Sequence, residues 1–362
     1  MKKIVILSYD YPPNNGGIAR LCGGIVNELK CRSIPYIVIT NVKDEGETNE
    51  NIVRLSGRRG VVEWKILRYL IQHTTSNDII ICDTWHPAGI LSILANRNTY
   101  ILAHGAELLP GTGFYRKHIR PIYRTWVLRH SNGIIANSHY TERLANSVAK
   151  RLNTIAIPLP IDSTIFIPTQ EKNQNDEILR LCSISRLEKF KGHDFILTAI
   201  STLPISYRQR MRLELGGKGP YLEVLKKLCI ELDLEKIVSF KGFIREEELC
   251  DFYSRNDLFI LCTREEPNER NVEGFGLVFT EAQSCGTAVI GARTGGIPDA
   301  VSHEHGGWLI KQDSIEELSS LLKNLIDNKK YVQYQGALAR QRVQKEYQWT
   351  DYMSSILKFV KW

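Results

Sequence analysis

Two glutamates, Glu273 and Glu281, stand eight positions apart in the stretch RNVEGFGLVFTEAQSCG, and a Gly-Phe-Gly turn opens the helical pattern between them. A helix beginning near Gly274 or Phe275 would hold Glu273 at its N-cap and Glu281 about two turns in, so the pair cannot share one metal ion without distortion. Separate partners follow. Ionised carboxylates only accept hydrogen bonds and suit vicinal hydroxyls, while the freed amides of Gly274, Phe275 and Gly276 suit an anion or sugar oxygens. A capped helix with one exposed acid would use the same residues.

Upstream, SISRLEKFKGHDFILTAI places Arg186 and Lys191 around a strand-to-helix loop that turns at Gly192. An arginine fork and a lysine point charge flanking such a loop can clamp a diphosphate. The stretch LELGGKGPYLEVL brings Gly216, Gly217 and Gly219 to another strand end, and SYDYPPNNGGIARLCGG puts Gly16 and Gly17 at a helix start. Paired glycines there let a phosphate approach the amides, although a turn needing positive φ uses the same residues. The pattern is not G-x-G-x-x-G, which disfavours a nicotinamide dehydrogenase. CDTWH and SHEHGG hold scattered ligand types without metal spacing, and the expectation is a chain that works without a metal or other cofactor.

These loops need a scaffold. The 362 residues fit two domains. The first half alternates β-branched runs (KIVILSY, YIVITN, DIIICDT, TYILAHG, GIIANS) with helical patterns, and the second restarts the alternation (LRLCSISR, RLELGGKG, IVSFKGF, DLFILCT, TAVIGA, GWLI). Two doubly wound parallel α/β sheets are expected, with ligands at the carboxyl ends of the strands. A Pro-rich then polar linker, IAIPLPIDSTIFIPTQEKNQNDE, separates residues 1–165 from 166–346, and a last helix at 347–362 is expected to cross back to the first domain. No run approaches the roughly 20 apolar residues that span a membrane. Eight cysteines without C-x-x-C spacing read as free thiols of a cytoplasmic protein, and a formal charge of +7 favours anionic partners without indicating nucleic acid.

The combination SRLEKFKG, LGGKGP, FKGFI, EGFGLVFTEAQSCG and GGIPDAV resembles the retaining glycosyltransferases of family four, which have the GT-B fold, and NVEGFGLVFTEAQSCG looks most like their phosphatidylinositol mannosyltransferase branch. The resemblance implies a hexose transferred from a nucleoside diphosphate sugar, with a lean toward GDP-mannose over a UDP-sugar, to a lipid-linked or glycan acceptor. It implies that Arg186 and Lys191 bind the donor diphosphate, that Glu273 contacts the sugar hydroxyls and that Glu281 holds the ribose. Amides from Gly274 to Leu277 would complete that grip, with Gly16, Gly17 and Gly217 on further glycine loops and Phe243 and Ile244 beside the nucleobase. His104, in ILAHGAELL, matches an active-site histidine. Where relatives often carry an N-G-V-D-like hinge, this chain has Leu159-Pro160-Ile161-Asp162. A sugar-nucleotide epimerase or phosphorylase of the same fold, and a non-catalytic sensor, are the rival readings.

One surface stands apart. From Leu108 to Thr141 there is no acidic residue, and Arg116, Arg120 and Arg124 recur every four positions with Lys117 and Arg129 nearby. A helix here would gather the arginines on one side and leave Ile119, Ile122, Tyr123 and Trp126 toward the other, giving peripheral contact with the anionic inner face of a membrane; the alternative is a solvated or acceptor-phosphate-binding face with the apolar side as core. Pro121 either starts that helix or breaks it.

Overall fold

The structure is a computed structural model that describes residues 2–14, 16–43, 50–172 and 177–362. Asn15 of the first glycine loop and residues 173–176 of the expected linker lie outside the described residues. The chain divides into two compact units: residues 1–159 with 267–270 and 349–362, and residues 160–266 with 271–348.

The first unit is built on a seven-stranded parallel sheet of β1 (Ile4–Ser8), β2 (Tyr36–Thr40), β3 (Ile52–Arg54), β4 (Ile79–Cys82), β5 (Asn98–Ala103), β6 (Gly133–Ala136) and β7 (Thr154–Ala156), in the order β3-β2-β1-β4-β5-β6-β7. The central strands are buried along their whole length, which is why they read as unbroken apolar runs rather than alternating ones. The three-residue edge strands β3 and β7 carry no such run, and β7 forms where the sequence reads as the start of a linker. The order reverses between β1 and β4, so the loops leaving these two strands diverge and open the position where doubly wound sheets take ligands.

Helix Trp349–Phe359 belongs to this first unit. It packs on helix Gly17–Cys31, where Trp349 lies over Gly24 so closely that a Cβ there would sit 2.0 Å from its ring. Phe359 stacks edge-on against Tyr100 at 5.8 Å, and Arg32 donates to the Thr350 carbonyl at 2.7 Å.

The second unit has a six-stranded parallel sheet of β8 (Leu179–Ile184), β9 (Met211–Gly216), β10 (Val238–Gly242), β11 (Leu258–Leu261), β12 (Ala288–Ala292) and β13 (Gly307–Ile310), ordered β10-β9-β8-β11-β12-β13. Its reversal falls between β8 and β11. Leu181, Leu213, Ile260 and Ile290 bury one sheet face against helices His193–Ser201, Leu222–Glu231 and Ile315–Asp327 through Ile196, Ile200, Leu225, Leu318 and Leu322.

Candidate functional site

In the second unit the loop after β8 is pressed against its neighbours backbone to backbone. Gly217, at φ +117°, donates its amide to the Gly242 carbonyl at 2.6 Å, and a Cβ on it would fall 1.8 Å from the Ser185 oxygen. A Cβ on Gly219 would fall 2.2 Å from the Leu187 carbonyl, whose own amide donates to the Lys218 oxygen at 2.9 Å. At the far end, Gly192 adopts φ +76° with the Cys262 carbonyl 2.1 Å from its missing Cβ. These glycines are therefore required to seat the segment that carries Arg186 and Lys191, whatever their amides also bind.

That segment delivers its two cations differently. Lys191 ends the 3-10 turn Lys189–Lys191, and its Nζ lies 2.8 Å from Glu273 Oε2, both side chains being largely enclosed. Arg186 points out, 76% exposed, and pairs only with Glu188 at 3.0 Å. The structure brings Lys191 and Glu273 together and leaves Arg186 apart from them, whereas the sequence reading set Arg186 and Lys191 side by side as one clamp.

Glu273 is not the N-cap of its helix. The helix is Leu277–Ser284, capped by Gly276 at φ +92°, a left-handed conformation that ends the extended loop later than the sequence implied. Glu281 therefore sits just past the first turn. The Glu273 backbone is fixed from behind by the Thr294-Gly295-Gly296 turn: the Gly296 amide donates to its carbonyl at 2.8 Å, and a Cβ on Gly295 would meet that oxygen at 2.4 Å. Phe275 is buried against Tyr347 at 5.9 Å between centroids, so only its backbone faces a ligand role. Gly274 is buried and Leu277 half-buried.

Glu281 is buried, and the Tyr253 hydroxyl donates to its Oε2 at 2.9 Å; burial, then the carboxylate, pushes the Tyr253 hydroxyl well up. Phe243 stands exposed beside β10 with Lys218 Nζ 5.7 Å from its ring centroid, while Ile244 turns inward against Gly216. Two residues that sequence reasoning missed lie here. Tyr253 gave no signal beyond an amphipathic helix. His193 follows the Gly192 turn directly and is fully buried, its Nε2 2.9 Å from Ser185 Oγ and its Nδ1 without a partner. Burial, reinforced by the Lys191 charge, pushes it down to about 4, so it is neutral near pH 7.

In the first unit the reversal point is organised by Asp83, which follows β4. Its buried Oδ2 accepts from the Tyr9 amide at 2.6 Å, the Asp10 amide at 3.2 Å and Ser8 Oγ at 3.1 Å. Burial raises this carboxyl and outweighs the hydrogen bonds that lower it. Gly16 has an ordinary φ of −72°, and what excludes a side chain there is Asp10, whose Oδ2 would lie 2.8 Å from the Cβ. Gly17 begins the helix. His104 Nε2 lies 2.8 Å from the Asp83 carbonyl, which only accepts, so Nε2 is the donor of that bond. Glu107 Oε1 takes the His104 amide at 2.7 Å.

The arginine stripe is exposed at Arg116 and turns inward from Arg120 to Arg124, against expectation. Tyr115–Ile119 forms a wide turn and Arg120–His130 an α-helix with Pro121 in its first turn. Arg124 is buried, and Arg120 lies over the Trp85 ring at 5.0 Å. Phe114, Tyr115, Ile119, Ile122 and Trp126 are exposed, together with Arg116, Lys117 and Arg129. Four-residue spacing fixes which side chains share a face without fixing which face turns inward, and the carbonyls and aromatic ring beneath took the guanidinium groups.

Among the described residues no group of three or more His, Cys, Asp or Glu could hold a metal ion, and no helix is long and apolar enough to cross a membrane. Residues 165–342 match the family model for glycosyl transferases group 1. The chain thus carries a glycosyltransferase group 1 domain. It is 24% identical, over all of its length and 98% of the relative, to the GDP-mannose-dependent alpha-(1-6)-phosphatidylinositol monomannoside mannosyltransferase of Mycobacterium tuberculosis strain H37Rv. It is 25% identical, over 96% of its length and 95% of the relative, to the monoacylated-substrate counterpart of Corynebacterium glutamicum. Among solved structures it is similar to sucrose-phosphate synthase from Thermosynechococcus elongatus (TM-score 0.80, 19% identity, 100% and 98% of the two chains). A second is Anabaena HepE in complex with UDP and glucose (TM-score 0.78, 19% identity, 100% of both). The glycosyltransferase has the GT-B class of fold, two parallel-sheet α/β domains in one chain.

Proposed function

We propose that this glycosyltransferase moves a hexose from a nucleoside diphosphate sugar, GDP-mannose before a UDP-sugar, to a lipid-linked or glycan acceptor with retention at the anomeric carbon, working without a metal ion. The observation that carries the reading is the enclosed Lys191–Glu273 pair at 2.8 Å, held by glycine-seated loops beside the strand reversal of the donor-type domain. The full-length likeness to GDP-mannose-dependent enzymes supports the choice of base and sugar.

In this reading Lys191 is shared between Glu273 and the donor's diphosphate, and the exposed Arg186 exchanges its weak surface pairing with Glu188 for the same anion. Both stabilise the negative charge that develops when the bond from the anomeric carbon to the phosphate oxygen breaks and its electron pair leaves on the diphosphate. The acceptor hydroxyl attacks from the same face and its proton passes to the departing phosphate oxygen. Glu273 grips the sugar hydroxyls, Glu281 is the ribose contact, oriented by Tyr253, and His104 offers its remaining ring nitrogen, Nδ1. The amides of Gly16, Gly17, Gly274, Phe275, Gly276 and Leu277 are the donor contacts, with Phe243 and Ile244 at the base. Gly217 acts mainly by seating the loop.

Membrane contact is part of the same reading, now through the exposed Phe114, Ile119, Ile122 and Trp126 rather than an arginine stripe. The test is a thermal-shift screen of nucleotide sugars followed by transfer assays in EDTA. Stabilisation by GDP-mannose and activity that survives chelation are expected. Loss of activity in chelator, restored by magnesium, overturns the metal-free mechanism. Turnover of the donor to an epimer without acceptor would favour the epimerase.

A further inference from the structure

Two arginines of the first unit bond one short turn, Ala106–Leu108, two residues beyond His104, and two more lie beside them. Arg270 Nε donates to the Ala106 carbonyl at 3.0 Å, Trp85 Nε1 to the Glu107 carbonyl at 3.2 Å, and Arg124 Nη1 to the Leu108 carbonyl. Arg120 lies over that Trp85 ring at 5.0 Å. Arg116 and Arg270 close over Gly111, whose φ is +78° and whose absent Cβ would be 3.4 Å from Arg116 Cδ and 2.6 Å from Arg270 Cδ.

The group is short of negative charge. Glu107 is the acidic residue that acts on Arg120, Arg124 and Arg270, and one of its oxygens is committed to the His104 amide. Arg124 is 5% exposed, and its Nε has no partner; Arg120 Nη1 is likewise buried without one. Burial, then Arg120 and Arg270, pushes Arg124 down to about 10; Arg120 is lowered by burial and then by Arg270 and Arg116, and Arg270 by burial and then by Arg116. Buried cations with spare donors and like-charged neighbours are costly unless an anion completes them. Planar guanidinium forks converging from several sides suit a tetrahedral phosphate better than a carboxylate, which one arginine can satisfy alone.

We propose that Arg116, Arg120, Arg124 and Arg270 form a phosphate-binding subsite for a phosphate-bearing acceptor. Calling the ligand an acceptor rests on the glycosyltransfer reading; the anion site itself does not. The phosphate can belong to a lipid headgroup or to a soluble phosphorylated sugar or polyol.

Binding is therefore measured without turnover. The full-length protein is titrated calorimetrically, with GDP in excess, against inorganic phosphate, against glycerophosphoglycerol as a soluble phosphodiester, and against phosphatidylglycerol vesicles with phosphatidylcholine vesicles as control. The same titrations are run on Lys191→Ala. At least one phosphate probe is expected to bind wild type and Lys191→Ala alike, and to weaken at least tenfold in Arg270→Gln and in the exposed, folding-neutral Arg116→Gln. Arg129→Gln, an exposed arginine on the same helix, should bind as wild type. Binding of the soluble probes assigns the phosphate to a soluble or headgroup moiety, and binding of phosphatidylglycerol vesicles alone assigns it to a lipid. Absence of binding by all probes, loss in Lys191→Ala, or equal loss in Arg129→Gln and Arg270→Gln overturns the subsite. Failure of the donor screen with success here would remove the acceptor label and leave the anion site standing.

Discussion

Replacing Gly217 by alanine should damage the donor loop from a distance. Two costs arise. At φ +117° an L-residue lies outside the left-handed well, a strain on the order of 1–3 kcal/mol. The new Cβ would also begin 1.8 Å from the Ser185 oxygen, and side-chain carbons essentially never come within 3.0 Å of a neighbour, so the carbonyl must retreat by more than an ångström. That retreat strains the bonds from Gly217 to Gly242 and from Leu187 to Lys218, each worth about 1 kcal/mol. A loss of about 3–5 kcal/mol is expected for the second unit. Gly242→Ala is the control, since at φ +69° with nothing within 4 Å it carries only the left-handed cost of about 1–2 kcal/mol. Urea unfolding of both variants, with nucleotide affinity measured on the folded fraction, separates steric pressure from φ strain. Gly217→Ala should bind donor nucleotide at least tenfold more weakly than Gly242→Ala. Equal stability and equal affinity in the two variants would refute the idea that this glycine seats the Arg186 and Lys191 loop.

Because burial holds His193 down to about 4 against about 6.5 in an unfolded chain, the unfolded state takes the proton first. Its contribution is full above pH 6.5 and is lost as pH falls toward 4, up to about 3 kcal/mol; His193→Gln should flatten that part of the acid slope, and an unchanged slope in denaturant titrations contradicts it. Tyr253→Phe removes a buried donor from Glu281, so about 1–3 kcal/mol of stability and some nucleotide affinity should go together; equilibrium unfolding and GDP titration check both, and no change in either rules out the orienting role. Changing the exposed Ile122 and Trp126 to Ser should reduce vesicle cosedimentation at high salt as well as low, because the contact is apolar. Recovery equal to wild type at both salts would end the membrane assignment.

The sheets were legible because strands buried on both faces leave unbroken apolar runs such as IVIL and LFIL, and the parallel, doubly wound class follows from that repeated βα alternation, whereas the strand orders came from the structure. The three-residue edge strands β3 and β7 were not, since an edge strand of that length needs no apolar run. The start of helix Leu277–Ser284 was misplaced for a conformational reason: a glycine in a turn does not announce its φ, and Gly276 rather than Glu273 proved to be the cap. The chemical types at the candidate site could be named in sequence, but their pairing could not. Lys191 and Glu273 are 82 residues apart and meet through two loops whose packing depends on glycines contacting distant carbonyls. His193, Asp83 and Tyr253 escaped notice because a buried polar side chain is revealed by its partners and not by its neighbours in the chain. The arginine helix shows the same limit from the other side, its period being right but the inward turn of Arg120 and Arg124 hidden.

The measurement closest to the central claim is transfer by purified wild type, Lys191→Ala and Glu273→Gln from GDP-mannose to a phosphoinositide or glycan acceptor, with circular dichroism to verify folding and NMR to read the anomeric configuration of the product. The account predicts an α-linked product from the α-configured donor in wild type, and at least a hundredfold loss of turnover in each folded variant. Near-normal turnover in either folded variant, or a product of inverted configuration, would contradict it.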